Sequence, residues 1–373
     1  MKIAENVPLA PLTTLQVGGA ARYFAELRRE DEVREAVQFA KGRALRLFVL
    51  GGGSNLVIAD SGWPGLMLRI AIGGIASPTT HDTAGNAVLF SVGAGVAWDD
   101  FVAHSIVQNC TGIECLSGIP GSVGGTPVQN VGAYGQEVAE TIESVRAFDL
   151  KEDRVVVLPK PACGFRYRSS IFNSTESGRY IILRVNYRLK RGGAPGLRYA
   201  ELQKYFADRS AAQSPSLAET REAVRAIRGS KGMLIVPGDE DCRSAGSFFK
   251  NPVLGEDQFK ELSARAASKG LVTPSYPAPS YPAGRSQARS QCRDALDQPT
   301  QHKISAAWLV EHSGFSKGYT AGAAGISSKH ALALVNRGNA QASDIVGLKD
   351  EIQQGVMKIW GVLLEPEPVF VGF

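Results

Sequence analysis

Two glycine-rich segments constrain this chain more than any other feature. The first, Gly51, Gly52, Gly53, Ser54, Asn55, follows directly on ALRLFVL, an apolar run that reads as a buried strand. The second, LSGIPGSVGGTPVQNVGAYGQEV, runs from Leu116 to Val138 and has glycine at 118, 121, 124, 125, 132 and 135. Without Cβ atoms, such segments turn sharply and let the backbone approach a ligand closely. Successive amide donors in a turn make a nest for an anion such as a pyrophosphate. Ser54, Asn55, Ser122, Gln129, Asn130 and Tyr134 add side-chain polar groups. One glycine turn after a strand is commonplace, and GGGSN lacks the GxGxxG spacing of a dinucleotide fingerprint. Two such segments in one region point to backbone lying against a flat ligand or another strand.

Around these loops the pattern is mixed. At 373 residues the chain exceeds what one core usually serves, so two or three domains are expected. Strand candidates are ARYFAEL, NLVIAD, GLMLRIA, AVLFSVGAG, ESVRAFDL and YIILRVNYRL; Glu30 to Lys41 and Trp98 to Gln108 read as helices. This part spans about 1–190, in two subdomains of about 1–70 and 71–190. From 197 to 373 the texture is that of a second α+β domain. There Ser216 and Glu219 form a capping box opening a helix through Arg228. Residues 257–269 and 344–360 read as helices, and SFFKNP and GVLLEPEPVFVGF as strands. Residues 272–301 are rich in Pro, Ser, Ala and Arg and contain PSYPA twice in tandem. This composition predicts a disordered surface insertion.

The formal charge of +5 comes without a lysine- and arginine-rich block, which gives no case for nucleic-acid binding. No run approaches the ~20 apolar residues that span a bilayer, and no signal peptide is recognisable. Five cysteines without CxxC and five scattered histidines fit no zinc module, so no metal is expected. Reduced thiols and a cytoplasmic location are the expectation, with no obligate protein partner evident.

Three short motifs carry polar chemistry. AGSFFKNP sets Ser247 between Gly246 and two phenylalanines; its plain reading is a strand entering the core with a hydroxyl at its mouth. FRYRSSIF, read as a strand, puts Arg166 and Arg168 on one face, where Arg168 suits a carboxylate or phosphate clamp; solvated arginines are the plain alternative. LEPEPVF puts Glu365 and Glu367 on one strand face, ordinarily mere surface.

Taken in order, TTLQVGGAARYF, GGGSNLVI, the Leu116–Val138 segment, YRSSIF, IRGSKGM, AGSFFKNPV, KISAAWLVEHSGF and LEPE resemble the UDP-N-acetylenolpyruvoylglucosamine reductases of peptidoglycan synthesis. The likeness covers nearly the whole chain outside the insertion. It implies an α+β fold, with a two-subdomain FAD-binding region of the PCMH/VAO-type flavoprotein superfamily and a C-terminal substrate-binding domain. It implies non-covalent FAD on Gly51, Gly52, Gly53, Ser54, Asn55, Gly118, Gly121, Ser122, Gly124 and Gly125. It implies NADPH as co-substrate and a UDP-sugar bound by Tyr134, Tyr199, Lys231 and Asn251. Ser247 is then the proton donor, with Arg168 and Glu367 as its catalytic partners. The chain departs from the family in having Pro368-Val369-Phe370 after Glu367, where Val-Arg is usual, and in its long insertion.

Two other readings compete. A flavin oxidase of the same superfamily often carries FAD on a histidine of the glycine-rich loops, and here neither loop has one. A UDP-sugar-binding module without redox chemistry would leave both glycine loops idle.

Overall fold

The computed structural model describes residues 1–79, 86–208, 214–277 and 301–373. The first glycine turn sits at the end of a four-stranded sheet ordered Ile3–Pro8, Ala20–Leu27, Trp63–Ile70, Leu47–Leu50. The last three strands are parallel. That arrangement needs a crossover, which Glu30–Gly42 provides as a helix burying Val33, Ala36, Val37 and Ala40 on one stripe. Glu30, Asp31 and Glu32 in its first turn complement the helix dipole.

The second glycine segment is cradled by an antiparallel sheet. Its strand order is Arg154–Pro159, Ile142–Asp149, Tyr180–Arg191, Ala87–Gly93, Ile75–Thr79, with Cys110–Thr111 also pairing with Tyr180–Arg191. The helix Trp98–Val107 packs on it through Trp98, Phe101 and Val102. One core joins both sheets: Leu27, Leu66 and Leu68 share it with Phe90, Val145, Val185 and Tyr187.

A second large core gathers Phe248, Phe249, Leu309, Ile345, Leu348, Ile352, Val356 and Trp360. Its longest contributor is the 19-residue helix Ala342–Trp360, which ends at Gly361 in the left-handed conformation. The helix Leu217–Ser230 opens with the expected box, the Ser216 hydroxyl accepting from the Glu219 N–H at 3.2 Å. Leu15, Val17 and Val57, from the N-terminal part, are buried in this core too. Val369–Val371 returns to pair in parallel with Leu56–Ile58. Pro368 lies just ahead of that ladder, and the first ladder bond, from the Val369 N–H to the Asn55 carbonyl, still forms at 3.0 Å. The unusual proline therefore leaves the pairing intact.

Five local expectations are corrected. FRYRSSIF is a tight turn in which Arg166 and Ser169 bridge each other and Arg168 has φ 52°, so Arg166 and Arg168 do not share a strand face. The turn is pinned by Asn130, whose amide donates to the Arg166 carbonyl at 3.0 Å, and by the Ser170 hydroxyl donating to the Val128 carbonyl at 2.6 Å. SFFKNP forms only an isolated bridge, Phe249 to Pro366, and both Phe248 and Phe249 are buried, which strand alternation forbids on one buried face. In the closing segment only Val369–Val371 is a strand, because Pro366 and Pro368 have no N–H to give a ladder. Glu365 points to solvent while Glu367 is largely buried. Finally, the start of the supposed insertion is ordered: Ser275–Pro277 pairs with Gln301–Ile304. Residues 278–300 lie outside the described part of the chain.

Candidate active site

The two glycine segments meet back to back. A Cβ placed on Gly52 would stand 2.4 Å from the Gly121 Cα, and one on Gly53 2.0 Å from the Leu12 carbonyl oxygen. Real Cβ atoms do not approach that closely, so glycine is required there. The Ser54 hydroxyl donates to the Pro120 carbonyl at 3.0 Å, and the Asn55 amide donates to Gln129 Oε1 at 2.5 Å and to the Glu367 carbonyl at 3.2 Å. These bonds fasten one loop to the other and both to the C-terminal segment. Gly51–Asn55, Gly121, Ser122, Gly124 and Gly125 line one cavity of about 2550 Å³. That is more than twice the ~1,000 Å³ upper range of ordinary ligand pockets.

Gly118 stands apart and does not line the cavity. Its N–H is given to Asp99 Oδ1 at 2.6 Å and its carbonyl accepts from Arg228 Nε at 3.1 Å. Both of its peptide groups are taken by the protein.

Ser247, Arg168 and Glu367 arrive at the same cavity from three distant parts of the sequence. Gly246, at φ 75°, turns the backbone so that Ser247 faces the cavity and the two phenylalanines face the core. The Ser247 hydroxyl is 3.1 Å from His330 Nε2. Burial, with Lys231 and Lys317 adding repulsion, pushes the His330 ring down to about 4, so it is neutral at pH 7. Arg168 is fixed by its turn, by a 2.6 Å bond from Nη2 to the Gly132 carbonyl, and by a 3.2 Å ion pair from Nε to Glu367 Oε1. A carboxylate beside arginine normally titrates low. For Glu367 burial outweighs Arg168, Lys250 and Lys303, and its carboxyl is raised. Lys303 completes the group: its ammonium sits 4.2 Å from the centre of the Tyr167 ring, and burial, then Arg168, lowers it.

The four expected substrate residues line the same cavity. Tyr134 and Tyr199 meet edge to face at 5.3 Å, and burial pushes the Tyr134 phenol up to about 12. Lys231 Nζ is 2.6 Å from Glu201 Oε2. The Asn251 side-chain oxygen accepts from the Ala306 N–H at 2.9 Å, so this residue also braces the helix Ala306–Glu311.

Two cavity residues escaped the sequence reading. Lys303 lies within KISAAWLVEHSGF, a motif noticed for its likeness and not for its lysine. His330 is one of five isolated histidines, and nothing local marks it; only the fold brings it to Ser247. Among the described residues no group of three His, Cys, Asp or Glu side chains could hold a metal ion.

With this geometry in hand, comparison with known proteins gives a consistent result. A family profile described as FAD binding domain matches residues 21–158, and one described as UDP-N-acetylenolpyruvoylglucosamine reductase, C-terminal domain, matches 237–371. UDP-N-acetylenolpyruvoylglucosamine reductase of Thermobifida fusca (strain YX) is 42% identical over 370 residues, 99% of this chain and 98% of the relative. The protein of the same name from Mycobacterium tuberculosis (strain ATCC 25177 / H37Ra) is 42% identical over 381 residues, 99% and 95% of the two chains. The crystal structure of UDP-N-acetylenolpyruvylglucosamine reductase from Thermus caldophilus superposes with a TM-score of 0.64 at 25% identity, covering 100% of this chain and 99% of that one. The expected fold class holds: an FAD-binding region followed by the reductases' own C-terminal domain. Sequence, profile and whole-chain structure agree, and the chain belongs to the UDP-N-acetylenolpyruvoylglucosamine reductase family.

Proposed function

We propose that Ser247, Arg168 and Glu367 carry out the chemistry of this reductase while Tyr134, Tyr199, Lys231 and Asn251 hold its UDP-sugar. The chain is an FAD-dependent oxidoreductase of peptidoglycan precursor synthesis. It uses NADPH to reduce UDP-N-acetylglucosamine enolpyruvate to UDP-N-acetylmuramate. The region 1–190 serves the cofactor and 197–373 the substrate, in the cytoplasm, without nucleic acid, membrane or an obligate protein partner.

The glycine loops fit FAD. Gly52 and Gly121 are in backbone contact, as a narrow phosphate-binding wall requires, and a Cβ on Gly125 would meet no protein atom within 4 Å. Gly51, Gly52, Gly53, Ser54, Asn55, Gly121, Ser122, Gly124 and Gly125 would hold the cofactor. When bound, FAD supplies the two-electron relay from NADPH to the enolpyruvyl double bond.

The net reaction adds a hydride to the terminal vinyl carbon and a proton to its neighbour. In between, negative charge spreads from that neighbouring carbon into the substrate carboxylate. Arg168, already locked by Gly132 and Glu367, meets that charge as a preorganised cation. A bare Glu367 would repel the substrate carboxylate; burial raises its carboxyl, which favours the neutral form and works against that repulsion. Ser247 Oγ gives the proton. In the tautomer whose Nε2 carries the hydrogen, neutral His330 donates to Oγ, leaves the serine proton free for the cavity and stabilises the oxygen after the proton leaves.

The observation that carries this reading is the Ser247–His330 hydrogen bond in the same cavity as the Arg168–Glu367 pair and the glycine loops. The test is NADPH oxidation by the purified yellow protein with and without the enolpyruvyl UDP-sugar. Turnover that ignores the UDP-sugar would overturn it.

A further inference from the structure

Glu114 takes no part in that chemistry, yet its carboxyl is fully buried, at 0% exposure. It lies in the short helical turn Glu114–Leu116, just ahead of the second glycine segment. Oε2 accepts from the Gly112 N–H at 2.7 Å, and Oε1 accepts from the Gln136 side-chain amide and from the Gly196 N–H, both at 2.8 Å. Burying a carboxyl is unfavourable unless donors satisfy it, and here three neutral N–H groups from separate segments do so.

We infer that Glu114 is a positioning residue that anchors the strap formed by residues 194–208, which brings Tyr199 to the cavity and Glu201 to Lys231; this rests on the reading of Tyr199 and Lys231 as substrate contacts. The Gly196 peptide is held on both sides, since its carbonyl accepts from Cys115 Sγ at 3.2 Å while its N–H goes to Glu114. Gln136 ties the clamp together, its Oε1 accepting from the Cys115 N–H at 2.8 Å. A Cβ on Gly196 would stand 3.0 Å from Gln136 Nε2, so glycine lets the backbone reach the carboxyl. The Thr111 hydroxyl adds a bond to the Ala194 carbonyl at 3.2 Å.

Beyond this base, Leu202 is buried against Cys115, Tyr134, Ala223 and Val224. The tip is held differently. Glu201 meets Lys231 with side chains 44% and 28% exposed, a pairing that water and an anionic ligand can both contest. A fixed base with an exchangeable tip lets Lys231 trade Glu201 for a substrate diphosphate while Tyr199 keeps its place.

Glu114→Gln keeps the shape but turns an amide N–H toward a backbone donor. Hydrogen exchange in peptides covering 194–206 should quicken at least ~10-fold, the scale of one buried hydrogen bond left unmade. The KM for the enolpyruvyl UDP-sugar should rise by a similar factor, with kcat within about twofold of wild type. Gly196→Ala disturbs the same clamp from the strap side and should reproduce both effects, which keeps the test valid if Glu114→Gln does not fold. Exchange and KM unchanged in both variants would overturn the inference, as would a fall in kcat with KM and exchange unchanged. Tyr199→Ala separates the two readings: if it leaves KM unaltered while Glu114→Gln still loosens 194–206, the anchor stands and the assignment of Tyr199 to the substrate fails.

Discussion

The backbone N–H of Glu367 donates to the carbonyl of Phe248, the neighbour of Ser247, at 2.8 Å. Two residues later the Lys250 N–H donates to the Glu365 carbonyl at 2.9 Å. Ser247 and Glu367 thus ride on one short backbone frame, and Phe248 and Phe249 sink that frame into the core. Rigid support of this kind is what a positioned acid needs.

Ser247→Ala should bind FAD and accept reducing equivalents from NADPH as wild type does, because the hydroxyl is needed only afterwards. Transfer to the enolpyruvyl substrate should slow by ~10²–10⁴-fold. Ser247→Cys should keep more activity than alanine, since a thiol also gives a proton. Stopped-flow measurement of the two half-reactions decides the matter; equal slowing of both would make the serine structural.

His330 sets a pH window for stability. Its folded value of about 4 lies below the ordinary value of 6.5, so between these limits the unfolded chain binds the extra proton more readily. Stability from this group is therefore fully present above about 6.5 and is lost as pH falls toward 4. Urea melts from pH 7 to 4.5 should show a steeper decline for wild type than for His330→Gln. Parallel declines would remove His330 from the account.

Gly52→Ala and Gly125→Ala should fail in different ways. The first drives a methyl into the Gly121 backbone, so it should lower both flavin content and the melting temperature of the apoprotein. The second meets no protein atom within 4 Å and should weaken flavin binding at least ~10-fold with apoprotein stability nearly unchanged. Flavin absorbance and apoprotein melting separate the two.

Acid precipitation should release all flavin into the supernatant. The glycine loops hold no histidine, and among the described residues the one histidine lining the cavity, His330, is engaged with Ser247. Yellow colour in the washed pellet would contradict non-covalent binding.

Removing residues 279–298 with a short glycine-serine closure should leave turnover within about threefold, because loop-closure entropy changes slowly with length. Pro277 and His302 are direct partners across an antiparallel ladder, so a short turn spans the gap. A deletion beginning at Pro274 should be worse, as it strips Ser275–Pro277 from the strand that carries Lys303. Equal activity of the two deletions would show that the edge strand is dispensable.

What was legible in the sequence was what local chemistry dictates. The glycine loops, the Ser216 capping box and the apolar stripe of Ala342–Trp360 each follow from adjacent residues, and each stands where the pattern put it. Alternation misled in FRYRSSIF, because a two-residue turn reproduces the every-other-residue rhythm of a strand until Arg168 takes a positive φ. Pro368 stands just before the ladder, so it limits the strand to Val369–Val371 without disturbing its pairing with Leu56–Ile58. His330 was illegible in principle, since its meaning lies in a contact with a serine 83 residues earlier.

The pairing of Leu56–Ile58 with Val369–Val371 gives the site a closure of very long sequence separation, which should make it a late event in folding. Asn55 donates to the Glu367 carbonyl across 312 residues of chain, and such closure must wait until the intervening segments have found their own cores. A refolding chain should regain its sheet and helix signals first and its catalytic competence afterwards. Until that strand docks, the chain should have a cradle for its cofactor and no Glu367 beside Arg168.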